Sequence, residues 1–213
     1  METADSSDAN GVTVQNAVNK HSLRHFKPGE EYGLVWNHRL LNRYLGISTV
    51  LMAYPGDNCI KVGNIIAMNP VWVRGEAARC ALPPEHFISA EVLILGHEMG
   101  HVALDIHGPG DLRKIQREAV ADVIGGAWVA RNILGAKVVP EVVTDFVHDL
   151  QERRGGKDYP DKRQRRLLVA YGLGAVSAVI LAELGSGLQP LSAAEEAKQL
   201  VEFAVGKLPD VAL

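Results

Sequence analysis

The sequence predicts an α+β fold: mostly helical, with a small β-sheet ahead of one central helix and C-terminal helices packed on the same domain. Three observations carry this. Residues 88–107 form a run that is apolar on nearly every side, the pattern of a helix buried in a domain centre. Before it stand two short apolar, β-branched runs, separated by the turn signal Pro55-Gly56-Asp57-Asn58. After it come four stretches of helical character, the last opened by a capping box from Ser192 to Glu195.

The chain has 213 residues, enough for one sizeable domain with a buried core. It is 47% hydrophobic and 22% charged with a net charge of −3, an ordinary soluble balance that offers no electrostatic argument for nucleic acid. Cys59 and Cys80 make neither a disulfide framework nor a C-x-x-C pair, and are expected as buried thiols in a reducing compartment. The acidic, polar opening at residues 1–8 is no secretory signal, so the expected location is cytoplasmic. The expected organisation is a mobile tail over 1–27, a main domain over 28–165 and a helical extension over 166–213 packed on it.

Taken in order, residues 1–27 carry few large apolar side chains and firm up only near Val12 to Val18. Residues 35–44, with Trp36, Leu40 and Leu41, have a weak helical period and suit a helix lying on the domain. Ile47 to Tyr54 reads as a strand, and Cys59 to Val73 as a second strand-like run. Pro70 lacks a backbone donor, so the second run predicts an edge strand or a strand interrupted there. An edge strand can accept an extended peptide; an ordinary core strand fits the same residues.

Pro83-Pro84-Glu85 opens the central helix. Gly96 and Gly100 weaken it while admitting a neighbour closely, and Gly125 and Gly126 in the next helix suit the same contact. Within the helix His97, Glu98 and His101 spell H-E-x-x-H. Residues four apart share a helix face, so two imidazoles meet one cation with Glu98 beside them. Neutral imidazole suits zinc, and a catalytic zinc takes three protein ligands and keeps one position open. Two residues compete to be the third ligand. His107 has the spacing of H-E-x-x-H-x-x-G-x-x-H, but Leu104 stands where that pattern needs glycine, and no methionine follows Met99 to form its Met-turn. Glu118 lies in a helix predicted from Leu112 to Leu134, with Asp111 as N-cap and Gly135 as C-terminal stop. Glu118 and Asp122 are four apart, beside an apolar stripe of Ile115, Ala119, Val123 and Ala127. A core-facing carboxylate is costly unless paired or bound to metal. That favours Glu118 as a ligand and Asp122 as hydrogen-bond partner of a ligand histidine; a solvated Glu118 is the plainer alternative.

His97-Glu98-Met99-Gly100-His101 followed by Glu118-Ala119-Val120-Ala121-Asp122 resembles the gluzincin zinc metallopeptidases, and within them the HtpX-like group and the compact minigluzincins. The resemblance runs from about Ile65 to Arg165. It implies a zincin-like domain and one Zn²⁺ per chain held by His97, His101 and Glu118. It also implies hydrolysis of a peptide or protein substrate by metal-activated water, with Glu98 as general base. In that family the edge strand above the zinc binds substrate backbone. The HtpX-like group has a His-Pro followed by an Arg; here the matching place reads Tyr159-Pro160-Asp161-Lys162-Arg163-Gln164-Arg165, with Tyr in place of His. Tyr159, Arg165, Arg166 and Tyr171 are candidates to steady the developing oxyanion, and Tyr159 is the catalytic candidate among them.

Pro140 opens a further helix to about Arg154, with Val142, Val143, Phe146, Val147 and Leu150 on its apolar face and His148 on the polar face, a predicted surface histidine. Seven Lys or Arg side chains follow: Arg153, Arg154, Lys157, Lys162, Arg163, Arg165 and Arg166. They suit either a solvated face or contact with an anionic partner or lipid surface. Leu167 to Ala182 is uncharged, but a membrane span needs about twenty residues. A buried helix is therefore predicted, with membrane association through 167–182 as the alternative. Two other functions stay open: a membrane-tethered quality-control protease of the same chemistry, and a non-catalytic zinc-binding interaction protein.

Overall fold

Helix α1 (Tyr32–Leu45) turns Leu34, His38, Leu41 and Leu45 inward at helical spacing and stops at Gly46, whose φ of 60° closes the last turn. Trp36 stays 47% exposed and stacks on Tyr32 instead of entering the core. The computed structural model describes residues 18–57, 59–132, 141–155, 158–186 and 192–211, and of residues 176–186 it describes the backbone course but not the side chains. Expectations for residues 1–17, Asn58, Gly135, Pro140, Lys157 and the side chains of Arg153 and Arg154 lie outside what is described. The ordered chain reaches back past residue 28: Leu23 is buried, and Arg24 forms an antiparallel bridge to Ala53.

Three strands follow: β1 (Val50–Ala53), β2 (Ile60–Val62) and β3 (Ile65–Met68). They lie in the order β1-β3-β2, with β3 parallel to β1 and antiparallel to β2. The predicted run Cys59 to Val73 is therefore not one strand: its first part, β2, lies at an edge of the sheet, and its second part, β3, does not. β3 is the middle strand, buried at all four positions, and β2 takes the outer place. Pro70 interrupts nothing either. It opens helix α2 (Pro70–Arg79) at the first helical position, where a missing N–H costs nothing, and Asn69 Oδ1 accepts the Trp72 N–H at 3.1 Å.

A short 3₁₀ turn (Pro84–His86) leads into α3 (Phe87–His107), then α4 (Lys114–Asn132), α5 (Glu141–Gly155), α6 (Lys162–Ser186), α7 (Ala193–Gly206) and a closing 3₁₀ turn (Leu208–Val211). The chain is α+β, mostly helical, with one small sheet. Among the described residues only the span Pro84–His107 is long and apolar enough to cross a membrane, and 72% of its apolar window is buried, which makes it the core helix. Ile88, near its start, and Ile106, near its end, are the exceptions and lie open. The predicted boundary at 165/166 falls inside α6, so main domain and extension share a helix.

Glycines set how closely α3, α4 and α6 approach. A β-carbon at Gly96 would stand 3.0 Å from the Gly125 Cα, and one at Gly100 would stand 3.1 Å from the Ala121 Cα, so α3 and α4 touch backbone to backbone. Gly126 does not share that contact. It faces α6, where a β-carbon would run into the Val169 carbonyl, and one at Gly172 would run into the Val123 carbonyl. Helix α4 is thus gripped on two sides.

Several placements correct the sequence reading. His148 is buried along with Thr144, on a helix that packs against both α3 and α6. Val142 is the exposed member of its apolar set. Cys80 is exposed and Cys59 half-buried. The start of α4 is capped by Gln116, whose Oε1 accepts the Arg113 N–H at 2.9 Å, two residues later than the Asp111 cap. The capping box at Ser192 and Glu195 is present in full.

Candidate metal centre

Helix α3 delivers two imidazoles from one face. His97 and His101 stand with ring centroids 4.8 Å apart and planes at 86°, edge to face. Glu118, in the second turn of α4, points between them: its Oε2 lies 3.2 Å from His97 Nε2 and 3.6 Å from His101 Nε2. These three ligand atoms lie within 4.8 Å of one another, the spread one cation can bridge, and among the described residues this is the only such group of three His, Cys, Asp or Glu side chains. The approach that lets α4 reach them is the Gly96–Gly125 and Gly100–Ala121 contact.

Asp122 sits behind His97. Its Oδ1 is 2.9 Å from His97 Nδ1, which holds the ring by its far nitrogen and leaves Nε2 aimed at Glu118. Its Oδ2 lies 3.0 Å from Arg165 Nη2, an ion pair between two side chains that are both nearly inaccessible. Arg165 balances the charge of the residue that orients His97. The sequence offers Arg165 both as part of a basic run and, through the motif beginning Tyr159-Pro160, as an oxyanion candidate; nothing local places it beside Asp122. Arg166 turns instead to Asp145 at 2.6 Å and Glu141 at 3.2 Å, and Lys162 to Asp149 at 2.7 Å. Among the described cations of that run, Lys162, Arg165 and Arg166 therefore meet the chain's own acids.

The remaining oxyanion candidates separate in the same way. Tyr171 lies beside Lys207, whose Nζ is 5.2 Å from the ring, whereas Tyr159 is near enough for the charges of Glu118 and Glu98 to act on its phenol. Burial and those carboxylates push the Tyr159 hydroxyl up, which keeps it a proton donor. His107 ends α3 without a break at Leu104, so the unbroken helix carries it away from the face of His97 and His101.

The electrostatics favour a cation. Burial alone would lower His97, but the Asp122 and Glu118 carboxylates outweigh it and hold the imidazole up to about 10. For Glu118 burial raises the carboxyl, and the two histidines more than reverse this, leaving it well below the usual carboxylate range. Glu98 goes the other way: burial pushes it up against the pull of His97 and His101. One carboxylate is thus held charged among nitrogen donors, and its neighbour is set closer to the range in which a base exchanges protons. Two imidazole nitrogens plus one carboxylate is a donor set that suits zinc. No known family, curated protein or solved structure matches the chain.

Proposed function

We propose that the chain is a zinc-dependent metalloendopeptidase of gluzincin type, with a zincin-like domain. The observation that carries this is the convergence of His97 Nε2, His101 Nε2 and Glu118 Oε2 within 4.8 Å, with Glu98 on the same helix. His97, His101 and Glu118 would hold one Zn²⁺. When bound, zinc makes water acidic near neutral pH and polarises a carbonyl oxygen. Glu98 takes the proton from the attacking water and hands it to the leaving amine. Tyr159 donates to the developing oxyanion, and the Asp122–Arg165 pair keeps His97 in register. Strand β2, outermost in the sheet, offers an edge for the substrate backbone.

Elemental analysis together with peptide hydrolysis tests this. Purified protein should carry one zinc per chain, lost in Glu118→Ala and kept in His107→Ala. Glu98→Gln should keep the metal and lose turnover by about 10²-fold or more. Zinc that survives Glu118→Ala, or undiminished hydrolysis by Glu98→Gln, would overturn the reading. Stoichiometric zinc without hydrolysis of any peptide would point to a binding protein instead.

A further inference from the structure

Beside the metal centre lies a second cluster that the chemistry above does not use. Lys61, in the middle of β2, pairs with one oxygen of Asp105, and Arg117 pairs with the other. Asp105 is one turn beyond His101 on the same face of α3, Arg117 precedes Glu118 on α4, and Lys61 is near enough to act on Glu98. The cluster therefore borders the centre where the three elements that frame it meet. Its side chains are 21%, 41% and 30% exposed in the order Lys61, Asp105, Arg117, so a ligand can reach them.

Two cations share a single carboxylate, leaving a charge of +1. Burial opposes the ionisation of Asp105, but Lys61 and Arg117 outweigh it, so the anion persists. Donor capacity leads to the same end. An ammonium has three N–H donors and a guanidinium five, and Asp105 occupies one oxygen with each. A divalent cation would balance Glu98 and Glu118, which leaves the rim's net positive charge beside the centre.

We propose that Lys61, Asp105 and Arg117 form a cationic rim that selects substrates with an acidic side chain next to the scissile bond. The inference rests on the peptidase reading. Each unit of rim charge changes selectivity by about two- to fivefold, the range that exposed ion pairs support, and added salt weakens it.

The test uses zinc-loaded protein and peptides acetylated and amidated at their ends, so that only side-chain carboxylates differ. Matched peptides carry Glu, Gln or Lys at each position flanking the cleaved bond. The readout is the ratio of kcat/KM values within one enzyme, which cancels any loss of folded protein or zinc. Wild type should prefer Glu over Gln at one flanking position. Asp105→Asn, which raises the rim to +2, should widen that ratio, and Lys61→Ala and Arg117→Ala, which bring it to zero, should each abolish it. A ratio unchanged across all four enzymes, or a wild-type preference for Lys, overturns the rim while leaving the peptidase reading in place. If zinc-loaded wild type cleaves no peptide, both fall together.

Discussion

Asp122 faces two ways, and its neighbours make the two halves separable. Asp122→Asn keeps the size but not the charge, and should weaken zinc binding about 10- to 100-fold in competition with a chelator. Equal affinity in the variant would remove Asp122 from the site. Arg165→Met, by contrast, leaves a carboxylate buried without its cation, and should lower stability by about 3–5 kcal/mol, read from urea midpoints. Another buried carboxyl lies on α3, the helix that carries His97. Glu91 is 1% exposed and has Arg74 3.2 Å away; burial pushes its carboxyl up to about 7 despite the guanidinium. A carboxyl whose folded value exceeds its ordinary 4.5 favours the fold while protonated. Its contribution is complete below that ordinary value and disappears as pH rises through about 7. Between pH 5 and 7.5 wild type should therefore lose more stability than Glu91→Gln, and parallel pH profiles would refute this.

At the scale of elements, close packing of helices makes one glycine indispensable and another in the same helix dispensable. Gly172→Ala drives a methyl into the Val123 carbonyl of α4, whereas Gly174→Ala meets nothing within 4 Å. The first should cost several kcal/mol, by analogy with overpacked cores. The second should be neutral or stabilising by up to about 1 kcal/mol. Thermal midpoints of the two variants decide it, and equal midpoints would mean that α4 and α6 do not meet this way. How much of this was legible depended on distance along the chain. H-E-x-x-H, E-x-x-x-D and the capping box rest on spacings of three or four residues that a helix turns directly into geometry. Gly96 and Gly125 were readable as a close contact for the same reason. The central place of β3 was hidden because sheet order does not follow chain order. Pro70 was ambiguous because apolar residues continue on both sides of it, although Asn69 beside it carried the cap signal. His148 and Arg165 were misplaced because their burial comes from partners far away in sequence: the helices closing around α5, and Asp122 beneath α6.

For the whole molecule, the C-terminal helices are structural members rather than appendages. α7 packs on α1, α3 and α4, burying Ala197, Leu200, Val201 and Ala204. α6 grips α4 and carries Arg165. A protein ended after residue 186 should accordingly fail to give a cooperative unfolding transition or to retain zinc; a folded, zinc-bound truncation would show that the main domain stands alone. The Arg165–Asp122 pair also gives the centre an order in time. Translation runs towards the C-terminus at about 5–20 residues per second, so His97, Glu98, His101 and Glu118 leave the ribosome seconds before the side chain that neutralises Asp122. A nascent chain paused in that interval carries His97, His101 and Glu118 on helices whose support has not yet been made, and the cluster is braced only once α6 and α7 have emerged.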